Sequence, residues 1–246
     1  LTNHTDKIFK QDKIRVQKMV AARGFRILMV TPTPMEYEAV RDAIGEWMMD
    51  GTVRLERCGV GPQQATNYCQ QLDDRVNFDW LVLVGYAGGL RRDLQPGDLI
   101  LADRALAAGQ PHIPCTSLLV PGTVTGPVLT VPELLATPKS KQAALTSGAL
   151  AVEMEAYPLA AWALIRKLPF LHARVILDGL DEHVPNLGNS LDPSGRPRMA
   201  QLLFQLLKRP PLAPQLLSFA WRVNSLKPHL GACARAVVGS ITSLRG

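Results

Sequence analysis

After Asp192 the chain has no acidic residue, and nowhere does it have an apolar run approaching the ~18 residues that suggest a helical membrane span. The second absence argues against an integral membrane protein. Cysteine is also scarce. Cys58, Cys69, Cys115 and Cys233 show neither metal-type nor C-x-x-C spacing, so the sequence predicts no metal site, and a chain of 246 residues needs no disulfide scaffold. Such cysteines suit a reducing cytoplasm. The first twenty-four residues carry Lys7, Lys10, Lys13, Arg15 and Lys18 with no apolar stretch following, which reads as an extension rather than a signal peptide. What is present, 47% hydrophobic and 20% charged residues, excludes intrinsic disorder and provides for a sizeable core.

The missing acids make the charge uneven. Residues 193–246 hold Arg196, Arg198, Lys208, Arg209, Arg222, Lys227, Arg235 and Arg245, so of 27 basic residues 19 remain to face 21 acids in residues 1–192. The body is nearly neutral and the tail basic. The tail is also apolar, with Leu202, Leu203, Phe204, Leu206 and Leu207, then Leu216, Leu217, Phe219, Ala220 and Trp221, separated by Pro210, Pro211 and Pro214. This pattern predicts two or three short amphipathic helices. They would either pack on the body with a solvated basic face or meet an anionic membrane surface or a greasy ligand. Nucleic acid is disfavoured, because the tail has no binding motif and no aromatics interleaved singly with charge.

In the body, Arg26 to Val30 is a short apolar run ended by Thr31-Pro-Thr-Pro34, and Met35 to Ile44 has helical periodicity. Val53 to Cys58 alternates like a strand, stops at Gly59-Val-Gly61, and precedes a helix over Gln63 to Leu72. Trp80 to Val84 has the continuous apolarity of a covered central strand, ending in a glycine segment, Gly85 to Gly89. Leu99 to Leu101 and Phe170 to Leu177 read as further strands, and Ala149 to Lys167 as a strand leading into a helix. Strands alternating with helices predict an α/β domain over residues 25–192, its sheet covered on both faces, followed by a basic helical extension over 193–246. Ligands of such sheets sit beyond the strands' carboxyl ends, which directs attention to Glu38, Gly85 to Gly89, Glu155 and Asp178. Gly59-Val-Gly61 lacks the third glycine of a dinucleotide fingerprint. Gly85, Gly88 and Gly89 serve either a tight turn or close approach of a ligand to the backbone.

In order, Met35-Glu36-Tyr37-Glu38, Gly59-Val-Gly61 with Ala65, Val84-Gly85-Tyr86-Ala87-Gly88-Gly89-Leu90, Pro96-Gly97-Asp98, Val152-Glu153-Met154-Glu155-Ala156, and Pro169-Phe170 leading to Arg174 and Asp178 resemble the nucleoside phosphorylase superfamily. Within it the chain is similar to the branch of the methylthioadenosine and S-adenosylhomocysteine nucleosidases. Thr137-Pro138 to Lys141 before Gly148 to Val152, and Leu206-Leu-Lys-Arg-Pro210, resemble the hopanoid-associated phosphorylases, thought to remove adenine from adenosylhopane.

That resemblance implies a three-layer α/β sandwich with a central mixed sheet, a homo-oligomer, a small-molecule nucleoside as partner and no cofactor, phosphate being a co-substrate if cleavage is phosphorolytic. It makes Asp178 the proton donor to the leaving purine, a role that requires a raised carboxyl pKa. Glu155 would take the ribose hydroxyls, Met154 would pack on the sugar with Glu153 beside it, and Glu38 would orient a water. Gly85, Tyr86, Ala87 and Gly88 would line the site, and Leu134 and Leu135 would wall the base. Phosphate users of the bacterial purine branch have Arg-Val-Gly-Ser where this chain has Leu83-Val84-Gly85-Tyr86. Without that arginine a phosphate dianion would be poorly held, which favours hydrolysis, while Arg91 and Arg92 keep phosphorolysis open. Leu177 and Tyr86 replace serines of the methylthioadenosine enzymes, so the substrate differs at its 5′ side or activity is lost. A nucleoside-binding or lipid-binding module without turnover, and a peripheral membrane scaffold, are the alternatives.

Overall fold

The computed structural model describes residues 26–72, 78–185, 192 and 212–245. Strands β1 (Ile27–Thr31), β2 (Val53–Arg57), β3 (Trp80–Gly89), β4 (Leu99–Ala107), β5 (Ile113–Pro114), β6 (Thr123–Thr130), β7 (Ala151–Glu153) and β8 (Phe170–Asp178) form one 8-stranded sheet. Helices α1 (Pro34–Met49), α2 (Pro62–Gln71), α3 (Pro138–Ala144), α4 (Ala156–Ile165) and α5 (Leu212–Thr242) surround it. The predicted α/β fold with a covered mixed sheet is the one observed.

Side-chain alternation explains the layers. Leu28 and Val30 of β1, with Leu81 and Leu83 of β3, face Ala65 and Cys69 of α2 and Leu159, Ala160 and Ala163 of α4. Ile27, Met29, Trp80, Val82 and Val84 face Val40 and Ile44 of α1 and Leu230, Val237 and Val238 of α5. Both faces of these strands are therefore apolar, which is why the sequence shows unbroken runs there. Beyond β1 and β2, which pair in parallel, the sheet closes: β3 pairs with β8, β8 with β4, β4 with β6, β6 with β7, and β7 with the end of β3.

The glycine segment is not a turn. β3 continues to Gly89, and Gly85, Gly88 and Gly89 all lack positive φ. Gly88 is paired both to Asp178 of β8 and to Val152 of β7, so the segment lies where three strands converge.

The tail also departs from expectation. Residues 193–211 lie outside the described residues, as do Leu202 to Leu207, Pro210, Pro211 and the N-terminal extension 1–24. From Leu212 there is one 31-residue helix in place of several short ones. Pro214 is in its first turn, where no intrahelical N–H bond is needed, and Pro228 is on the exposed side. Val223, Leu226, Leu230, Cys233, Ala234, Val237, Val238 and Ile241 are buried at helical spacing, so this half of the tail is core. No helix among the described residues is long and apolar enough to cross a membrane.

Candidate active site

At the start of α1, Thr33 and Glu36 form a capping box: Thr33 Oγ1 accepts from the Glu36 N–H, and Glu36 Oε2 accepts from Thr33 N at 2.9 Å and Thr33 Oγ1 at 2.6 Å. Glu36 Oε1 accepts from the Tyr86 N–H at 2.8 Å. The carboxylate is buried, with three of its roughly four acceptor positions filled. Burial pushes its pKa up, opposed by these hydrogen bonds and by Arg174.

Glu38 is exposed, on the solvent side of α1. The resemblance gives Glu38 the water-orienting role, but Glu36, half a helical turn earlier, is the buried one, its side chain turned back by the capping box to Thr33 and the Tyr86 N–H. The signal was legible as Thr33-x-x-Glu36, a helix-start pattern.

Arg174, fully buried on β8, is the hub. Its guanidinium pairs with Glu153, donates to Glu155 Oε2 at 3.3 Å and to the Tyr86 carbonyl at 3.2 Å, and its Nε donates to His172 Nε2 at 2.8 Å. Glu155 Oε1 accepts from the Gly61 N–H at 2.9 Å. Gly61 has φ +91°, a conformation that suits glycine and aims this N–H at the Glu155 carboxyl. Gly85 answers the same crowding: a Cβ there would strike the Arg174 guanidinium and stand 2.8 Å from Glu36 Oε1. The glycine makes room for the protein's own charges.

Glu153 accepts from Thr130 Oγ1, from the Glu155 and Ala156 N–H groups at 2.9 Å each, and from Arg174. These bonds occupy it as a support for the β7–α4 turn, where the resemblance implies a substrate contact. Glu155 is pushed up to about 8, first by burial and then by Glu153, against the opposing pull of Arg174. His172 is driven well down by burial and the neighbouring guanidinium, and so remains neutral. Three carboxyl groups thus surround one arginine.

Four residues further along β8, Asp178 is buried beside Gly88, whose Cβ position is 3.3 Å from Asp178 Oδ2. Burial raises its pKa, the direction a proton donor needs, although Lys141 pulls the other way. Lys141, buried on α3, forms an ion pair with Asp178 and donates to the Gly179 carbonyl at 2.6 Å. Sequence reading passed over Lys141 as a site residue, since nothing in a lone lysine signals burial.

Met154 lies against Gly61, its Cε 3.7 Å from that glycine's Cβ position. Tyr86 is half-buried, its hydroxyl donating to the Val223 carbonyl of α5 at 3.3 Å, and Ala87 is buried in the core. Leu135 packs with Leu90, Leu129, Val152 and Leu180, whereas Leu134 is half-exposed, its side chain outside that cluster. Arg91 is exposed and paired with Asp93, and Arg92 with Asp181, so neither is turned to the buried cluster. Among the described residues no group of acids, histidines and cysteines could hold a metal.

Residues 37–114 match the model of the phosphorylase superfamily. No curated protein matches the chain. Solved structures share its fold. A Helicobacter pylori 5′-methylthioadenosine/S-adenosylhomocysteine nucleosidase superposes with a TM-score of 0.64 at 12% identity, over 89% of this chain and 99% of the other. The same enzyme type from Colwellia psychrerythraea, in complex with adenine, gives 0.64 at 16% identity, over 90% and 96%. The futalosine hydrolase of Helicobacter pylori gives 0.63 at 13%, over 89% and 98%.

Proposed function

We propose that this chain hydrolyses the N-ribosidic bond of a purine nucleoside, releasing adenine. The observation that carries the reading is the buried cluster in which Glu36, Glu153 and Glu155 outnumber Arg174, with a buried acid, Asp178, four residues further along the arginine's own strand. Cleavage builds positive charge on the sugar and negative charge on the base. Carboxyl oxygens gathered near the sugar stabilise the first, and a proton from Asp178 neutralises the second.

Water is favoured over phosphate as nucleophile because Arg174 is already neutralised by carboxylates. A phosphate dianion would have to compete with these carboxyl groups for the guanidinium. Glu36, with one acceptor position left, can hold the water and take its proton. Glu155 would receive the ribose hydroxyls, and Met154 would cover the sugar.

For the substrate we infer an adenosine carrying a bulky apolar 5′ group, adenosylhopane being the example suggested by the sequence resemblance. The support is local: Tyr86 touches the backbone of α5 at Val223, and Leu217 and Trp221, at 72% and 73% exposure, stand six and two residues before that contact on the same helix. They offer apolar surface for a long substituent or for the membrane that holds it.

Single-turnover assays with adenosine and 5′-substituted adenosines, with and without phosphate, test the reading. Adenine and free sugar are expected, at a rate indifferent to phosphate. A sugar 1-phosphate as main product would overturn hydrolysis. Asp178→Asn keeps the shape but has no acid proton, and is expected to slow release ~10²-fold or more with binding changed only a few-fold.

A further inference from the structure

We propose that the acid delivering a proton to the leaving base is a buried Lys141–Asp178 pair, with Lys141 a positioning residue that stores the proton Asp178 passes on. The inference rests on the nucleosidase reading above and extends it to Lys141, to which no role had been given.

Lys141 has 1% side-chain exposure and Asp178 7%, and their contact joins Nζ to Oδ2. The other Nζ protons are directed at the carbonyls of Gly179, at 2.6 Å, and Glu182, at 3.2 Å. Three acceptors for three donors is the full complement of an ammonium, so the site is built to hold Lys141 charged. An ammonium so placed pulls the Asp178 carboxyl down against the rise that burial gives it, and a carboxylate alone has no proton to give. The pair does.

Among the described residues the further charges acting on Asp178 are Glu182, on the segment after β8, and Arg222 of α5, which pairs with Glu182. These two offset one another, leaving Lys141 as the neighbour that sets the state of Asp178. Both ends of the lysine are fixed by neighbouring backbone: α3 starts at a Thr137–Ser140 capping box, and Gly179 and Glu182 follow Asp178 directly. Losing the pair would therefore shift the carboxylate as well as its charge.

In the reaction an N–H bond of Lys141 breaks as an O–H bond forms on Asp178. That O–H bond breaks as a ring nitrogen of the base is protonated, and the C–N bond to the sugar breaks with its electron pair left on the base. Water adds to the sugar carbon. Its proton passes to Glu36 and then to solvent, from which Lys141 is recharged, so nucleoside and water give base and sugar with no net change in the protein.

An ammonium keeps its proton to higher pH than a carboxylic acid. The alkaline limb of single-turnover base release therefore belongs to the pair in the native protein and to the lone carboxyl in Lys141→Met. In that variant the limb is expected at least ~1 pH unit lower, with release at about pH 5 within ~10-fold of native. Lys141→Arg pins the carboxylate without a releasable proton, and is expected to lose ~10-fold or more at every pH. A Lys141→Met limb coinciding with the native one, or native rate and profile in Lys141→Arg, would overturn the proposal. Should either variant fail to fold by circular dichroism, the native protein decides. Ammonium ionisation is strongly temperature-dependent and carboxyl ionisation weakly so, and a native limb unmoved over about 30 °C would refute the pair. A native protein releasing no base from any adenosine derivative defeats the nucleosidase reading, and this inference with it. An active protein with an unmoved limb defeats the inference alone.

Discussion

Glu36 and Glu38 lie two positions apart on the same helix and have opposite environments, one buried among Thr33, Tyr86 and Arg174, the other in solvent. Glu36→Gln is expected to lower base release ~10²-fold or more, since an amide cannot take the proton of the attacking water, whereas Glu38→Gln is expected to stay within ~2-fold. Single-turnover rates of the two variants check this, and a reversed order would return the role to Glu38. The sequence reading selected the second glutamate because Met-Glu-x-Glu offers two candidates and nothing in that motif orients them. Counting from the strand end and recognising the cap would have separated them. Glu155 allows a test without substrate. Its carboxyl titrates near 4.5 when unfolded and is pushed up to about 8 when folded, so between these values the folded chain binds more protons than the unfolded one. This contribution is fully present below the lower value and is lost as pH rises towards the upper. Urea midpoints should fall over that window and fall less steeply in Glu155→Gln. Parallel slopes would mean that the carboxyl is not held protonated.

At the scale of elements, the covered strands and the helices between them were legible because apolar runs and 3.6-residue periodicity survive in single stretches of chain. β5 and β6 were not read: Thr123-Val-Thr-Gly-Pro-Val-Leu-Thr130 carries a glycine and a proline, and it is held by pairing to β4 and β7, which local sequence does not reveal. The glycines of β3 were ambiguous for the same reason. Their use, to admit Arg174, Glu36 and Asp178 against a strand, depends on partners far along the chain. α5 was legible as apolar and basic but not as one helix, since its prolines suggested breaks. Its packing on α1 is close at Gly231, where a Cβ would be 2.9 Å from Ala43 Cβ and 3.3 Å from the Ala39 carbonyl. Gly231→Leu should therefore force the two helices apart, costing about 1–3 kcal/mol in chemical denaturation. Gly239, with open space around its Cβ position, is the control: Gly239→Ala should cost nothing measurable or slightly stabilise the helix.

Across the whole molecule, the basic, acid-free tail has two roles distributed along one helix. From Val223 onward its apolar side chains close the core under α1 and the sheet, and side chains so buried contribute roughly 1.5–3 kcal/mol each. Several together equal or exceed the ~5–15 kcal/mol that holds a domain folded, so a chain ending near Asp192 should not fold and cannot be used to test lipid binding. The preceding turns are different. Leu217 and Trp221 are four residues apart on one exposed face of α5, the helix whose Val223 carbonyl accepts from Tyr86. Replacing both by serine removes apolar surface without touching the core, so the double variant should keep the native unfolding midpoint and the native rate on adenosine. It should lose preference for a long apolar 5′ group and bind anionic vesicles less. Charge alone would give binding that vanishes at high salt, as exposed charges are screened over a Debye length of ~8 Å at physiological ionic strength, while apolar contact leaves a salt-resistant remainder. Co-sedimentation across a salt series separates the two. If the salt-resistant fraction is the same in native and variant proteins, and their 5′ preferences agree, then Leu217 and Trp221 meet neither lipid nor substrate.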